Sequence, residues 1–106
     1  MTTTTTEFKF SSGQVCLTRA VALTMEVNDQ AADSDLFSHF LHHSLSRHLT
    51  GDWGDVCHED KQANETALAH GNLRLFSVYK HPTHPTIWII TEADRSATTI
   101  LFPDDY

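Results

Sequence analysis

The sequence predicts a single α+β domain: an N-terminal strand, three helices, then a three-stranded antiparallel meander with the helices packed on one face. Three observations carry this. Apolar residues recur at spacings of three and four through the middle of the chain. Branched and aromatic residues gather in three short runs in the last third. The connectors between those runs are too short for a parallel crossover, so neighbouring runs must pair antiparallel. A chain of 106 residues buries enough surface for one core and not for two. Residues 1–6 read as a frayed polar tail ahead of a domain over 7–106.

The elements follow in order. Phe8, Phe10, Val15 and Leu17 alternate loosely around the turn signal Ser12-Gly13, which places a first strand near Gln14 to Leu17. Thr18 is an N-cap for a short helix carrying Ala20, Val21, Leu23 and Met25. Residues 27–34 read as a loop, with Asp33 or Ser34 capping a second helix whose stripe is Leu36, Phe37, Phe40, Leu41 and Leu45. That helix should stop near Leu49, ahead of Gly51. Two glycines around Trp53 suggest a turn that pins an aromatic ring. Asp55 then caps a third helix over 56–70, with Val56, Ala63, Ala67 and Leu68 inward and Gly71 as its stop. Strands over 73–79, 86–91 and 97–102 complete the fold.

Charge and composition exclude several classes. The formal net charge is −7, from 14 acidic against 7 basic side chains, which argues against direct binding of nucleic acid through a basic face. The same acidity suits a basic protein surface as partner. No apolar run reaches the ~18 residues of a spanning helix, and no signal peptide opens the chain, so a cytoplasmic protein without a membrane partner is expected. Cys16 and Cys57 are too few for a disulfide framework and read as reduced thiols.

Metal and nucleophile signals are weak. His39 and His43 stand four apart on one helix face, but no third ligand accompanies them, so no metal is expected. His81 and His84 flank prolines in what reads as a rigid turn. Ser77 lacks the strand-turn-helix elbow of a serine nucleophile, and no glycine-rich loop holds a phosphate, so no cofactor is expected either. The richest stretch runs from Arg47, His48, Gly51, Asp52, Trp53 and Gly54 through Glu59, Asp60 and Asn64. It resumes at Trp88, Thr91, Glu92, Asp94, Arg95, Thr98 and Thr99. Two readings stay open. These residues either form a polar cleft for acid–base work around Arg47, His48, Asp52, Glu92 and Arg95, or a network of Arg–carboxylate bonds tying helices to hairpin, with Trp53 and Trp88 anchoring one core.

At these positions the chain resembles a family of small plasmid- and phage-associated bacterial proteins. Its marks are Arg-His-x-x-Gly-Asp-Trp-Gly, then Glu-Asp-x-x-x-Asn, then Trp-Ile-Ile-Thr-Glu-Ala-Asp-Arg-Ser with Thr-Thr, and a closing Pro-x-x-Tyr. Here these stand at 47–54, 59–64, 88–96, 98–99 and 103–106. The family's usual Thr-Pro-Gly-Ala-Leu helix start is replaced by Thr18-Arg19-Ala20-Val21-Ala22-Leu23, and His81-Pro82-Thr83-His84-Pro85 stands where relatives have a shorter turn. The family is labelled "plasmid related protein", with no assigned activity. The resemblance implies a mobile-element setting.

The expectation that follows is a non-enzymatic inhibitor of a host nuclease defence system, of anti-CRISPR or anti-restriction type. It would occupy a basic nucleic-acid-binding surface of a nuclease complex, with Glu26, Asp29, Asp33 and Asp35 as the acidic contact segment. The alternatives are a small nuclease or transferase built on the Arg47–Arg95 residues, or an interaction protein of plasmid maintenance. A homodimer is left open.

Overall fold

A computed structural model of the chain describes residues 8–30 and 36–106. The expected frayed tail, the caps Asp33 and Ser34, and Asp35 lie outside the described residues. The described elements are β1 (Gln14–Leu17), α1 (Arg19–Asn28), α2 (Phe37–Leu49), α3 (His58–His70), β2 (Leu75–Tyr79), β3 (Ile87–Thr91), β4 (Ala97–Leu101) and a terminal 3-10 turn (Pro103–Asp105). The class is α+β, as expected. The sheet, however, is four-stranded and mixed, in the order β1-β4-β3-β2. The antiparallel meander is present in β2, β3 and β4, and β1 joins it by lying parallel to β4. Parallel neighbours need a long crossover, and the three helices between β1 and β2 provide it.

Side chains alternate across the sheet. Tyr79, Ile87, Ile89 and Ile100 face Val21 of α1 and Phe37, Phe40 and Leu41 of α2 in the main core. On the same face Leu75 meets Trp53 and Ala67 of α3 in a second, smaller cluster. The His81–His84 connector lies on α2: the Phe40 ring stacks on His84 at 5.9 Å and packs on His81 at 5.0 Å. Among the described residues no helix is long and apolar enough to cross a membrane.

Several boundaries differ from the expected ones, for reasons the contacts supply. Val27 and Asn28 continue α1 instead of opening a loop. Asn28 then reaches forward: its Oδ1 accepts the Phe37 N–H at 2.7 Å, and the Asp29 carboxylate accepts the Ser38 N–H at 3.3 Å. Thus α2 is capped from the end of α1. Asp55 does not cap α3: its N–H is bound to the Val78 carbonyl at 2.8 Å beside β2, and the helix begins three residues later at His58, after Cys57. Ala63 is exposed on α3, and buried Asn64 takes the inward position. Thr18 does cap α1, and Gly71 does close α3 in a left-handed conformation.

The two tryptophans do not share a core. Trp53 is 3% exposed beside Ala67 and Leu75. Trp88 falls one residue out of phase with Ile87 and Ile89, so it projects from the opposite face and lies against Phe76 and Tyr106.

Candidate functional site

The residues of the Arg47–Gly54 stretch sit where α2 turns into the segment beside β2. His48 is in the last turn of α2 and has no exposed surface. Its Nδ1 lies 2.5 Å from the Ser77 hydroxyl and its Nε2 2.8 Å from the Thr91 hydroxyl. Thr91 continues to Thr98 at 2.7 Å, and Thr98 donates to the Ser12 carbonyl at 2.8 Å. A carbonyl only accepts, which sets the direction of the whole chain of bonds. Thr98 spends its proton on Ser12, so Thr91 donates to Thr98 and therefore accepts from His48 Nε2–H. His48 Nδ1 is then the bare nitrogen that accepts from Ser77. Burial, and secondarily the Arg95 cation, push His48 down to about 3, so the ring is neutral and every bond in the relay is satisfied.

Around this hub the other polar groups are also engaged. Arg47 makes a two-pronged bond to Asp52, Nε at 2.7 Å and Nη2 at 3.0 Å, and its guanidinium lies 4.8 Å above the Tyr79 ring. That bond holds the Asp52 carboxyl below its usual range. Buried Tyr79 donates to the Asp52 carbonyl at 2.6 Å, and burial raises its pKa. The Trp53 indole N–H donates to Glu65 at 3.0 Å. At Gly54 (φ +71°) the backbone comes so near β2 that a Cβ would stand 1.9 Å from the Val78 oxygen. Only glycine allows the Gly54–Val78 bridge that follows.

In the hairpin after β3, Arg95 has a positive φ of 61°. Its guanidinium donates to the carbonyls of Leu73 (2.7 Å), Glu92 (3.0 Å), Ala93 (3.1 Å) and Ala67 (3.2 Å). It thereby binds the hairpin to the last turn of α3, where the Ala67 carbonyl also accepts the Gly71 N–H at 2.7 Å. Asp94 accepts the Ser96 N–H at 2.9 Å and closes the turn. Asn64 holds the backbone of Phe76 by both its amide atoms, Nδ2 to the carbonyl at 2.7 Å and Oδ1 from the N–H at 3.0 Å.

The five residues of the cleft reading are therefore distributed over separate tasks. Arg47 and Asp52 are a pair, His48 is buried against the Phe10 and Trp53 rings, and Arg95 is spread over four carbonyls. Glu92 faces elsewhere, 3.8 Å from Arg74. Of the acidic contact segment, Glu26 is exposed on α1 and Asp29 is a helix cap. Glu59 and Asp60 occupy the first turn of α3, where they suit the helix dipole. Thr99 lies opposite Ile90, on the Trp88 face of the sheet. Among the described residues no three of His, Cys, Asp and Glu gather as a metal site.

The sequence reading did not find a groove on the Trp88 face of the sheet, bordered by the first turn of α3. Asp60, Arg74, Phe76, Trp88, Ile90 and Tyr106 enclose about 290 Å³. The Phe76 and Trp88 rings meet edge to face at 5.1 Å, and Trp88 and Tyr106 at 5.7 Å. The available signal was the alternation of β3, in which Trp88 and Ile90 stand apart from Ile87 and Ile89. Comparison of the chain with protein-family models, curated proteins and solved structures gave no match.

Proposed function

We propose that this protein works by binding another protein, as a mobile-element inhibitor that occludes a basic surface of a host nuclease defence complex. The observation that carries the non-catalytic part is the state of His48. It has no exposed surface, is held neutral, and has both ring nitrogens bonded to Ser77 and Thr91. A general base must reach a substrate proton within about 3 Å, directly or through one water. Arg47 and Arg95 are similarly spent on Asp52 and on backbone carbonyls. With the motif's polar groups turned to holding the fold, recognition falls to the exterior, which carries the net charge of −7. An acidic surface meets the electrostatic requirement of a nucleic-acid channel lined with Lys and Arg.

The test is functional. The chain is expressed in bacteria carrying an active restriction or CRISPR system, and a targeted plasmid is introduced. Inhibition raises transformation by orders of magnitude in that host and not in one lacking the nuclease. The same number of transformants with and without the chain, across both kinds of system, would sink the proposal.

A further inference from the structure

The two edges of the sheet are treated differently. Strand β2 exposes outward the backbone groups of Phe76 and Val78, and all four are bonded. Asn64 takes both groups of Phe76; Asp55 N–H and the Trp53 carbonyl take those of Val78 at 2.8 and 3.2 Å. At the other edge, Gln14 N–H bonds to Ser96 and Thr18 N–H to Ile100, both toward β4. Alternation then turns the N–H and C=O groups of Val15 and Leu17 outward, where no backbone partner stands among the described residues. Val15 is 44% exposed. An edge left open, in a molecule that closes its other edge, is a template for a further strand.

We infer that β1 pairs antiparallel with β1 of a second copy of this chain, on a two-fold axis through Cys16. The strand is bounded by Gly13 (φ +59°) and by Thr18, the cap of α1, so few registers are open to it. Placing Val15 opposite Leu17 of the second copy joins four N–H···O bonds. Placing either residue opposite itself joins two. The four-bond register sets Cys16 against Cys16 as a non-hydrogen-bonded pair, with Cα atoms about 4.5 Å apart. The occupant is a second copy because the strip Gln14-Val15-Cys16-Leu17 is uncharged in a chain of net −7. Two acidic molecules approach with least repulsion there, and a basic partner finds no counter-charge on it. Beside the edge, Val15, Leu17, Met25, Leu41 and Leu45 line a groove of about 290 Å³ that supplies apolar surface to the contact. A two-fold pairing joins the two sheets into one of eight strands, with the same patch used by both copies.

Sedimentation equilibrium of the reduced protein over a rising concentration series tests this. The mass should rise from that of the 11.9 kDa chain to twice it. Val15→Pro removes an outward N–H and none that bonds β4, a position where an edge strand tolerates proline. It should keep the melting transition and lose the doubled mass. Val15→Lys, which leaves the backbone intact and puts a charge on the strip, should lose it too. Cys16 and Cys57 are both free. Treated with diamide, which takes up the two thiol hydrogens, Cys57→Ser should form a disulfide-linked dimer and Cys16→Ser should not, since about 4.5 Å lies within disulfide reach. A monomer at every concentration overturns the inference. So does a dimer indifferent to both Val15 substitutions, or one that crosslinks through Cys57 alone. Loss of the dimer with inhibition retained leaves the proposed function standing.

Discussion

His48 shows how one residue ties three parts of the molecule by being neutral. Ser77 is on β2, Thr91 on β3 and Thr98 on β4, and the imidazole at the end of α2 serves as donor to one strand and acceptor from another. The unfolded chain takes up a proton near pH 6.5 and the folded one holds off to about 3. The unfolded state therefore binds more protons in that window, and stability falls as pH drops through it. The slope is at most about 1.4 kcal/mol per pH unit from this group. His48→Gln should cost about 1–3 kcal/mol at pH 7 through unsatisfied hydroxyls. Its deficit against the wild type should shrink below pH 6, in urea titrations at a series of pH values. Parallel curves for the two proteins would contradict this account of the hub.

Glycine substitutions divide by surroundings. Gly54→Ala meets the left-handed backbone and the Val78 oxygen together, and should lose about 3 kcal/mol or more. Gly71 has the same sign of φ (+77°) and nothing within 4 Å of an added Cβ, so Gly71→Ala should lose about 1 kcal/mol. Equal losses by urea denaturation would mean that the Gly54–Val78 approach is not what requires glycine.

At the scale of elements, the phase of a strand decides what its aromatic residues do. Trp53→Ala opens the cluster under α3 and should cost about 3 kcal/mol or more. Trp88 is half-buried on the opposite face of the sheet, and Trp88→Ala should cost about 1–2 kcal/mol. Thermal melts of the two variants check this: a Trp88 loss as large as that of Trp53 would mean that the open face is covered in solution. The third helix has a weak apolar stripe because its buried positions are Ala67 and Asn64, and Asn64 is there to close β2. That use of an amide against a strand edge has no period, which is why Ala63 looked like the inward residue.

For the whole molecule, charge should set how a partner is met. Glu26, Asp33 and Asp35 can be reversed to Lys together, sparing Asp29 because it caps α2. If acidic steering operates, this triple variant should associate more slowly with its target and show a flatter salt dependence than the wild type, since exposed charges are screened beyond ~10 Å at 0.1 M salt. Inhibition measured at two ionic strengths reads it. Equal potency at both salts for the wild type would take acidic steering out of the mechanism.

The elements themselves were legible in the chain because local patterns encode them. Thr18 and Gly71 carry cap chemistry, Phe37 to Leu45 carry a helical stripe, and β2 to β4 carry branched residues between short connectors. The choice between a polar cleft and a structural clamp was not legible. Arg47, His48, Asp52 and Arg95 have the same donors and charges in either case, and what separates the two is burial and partner, which belong to residues up to 43 positions away, as between His48 and Thr91. The parallel place of β1 beside β4, the sealing of one sheet edge and the openness of the other are likewise tertiary. Backbone groups are identical in every residue but proline, so the sequence alone determines which strands exist, and only the packed structure decides which of their edges are already satisfied.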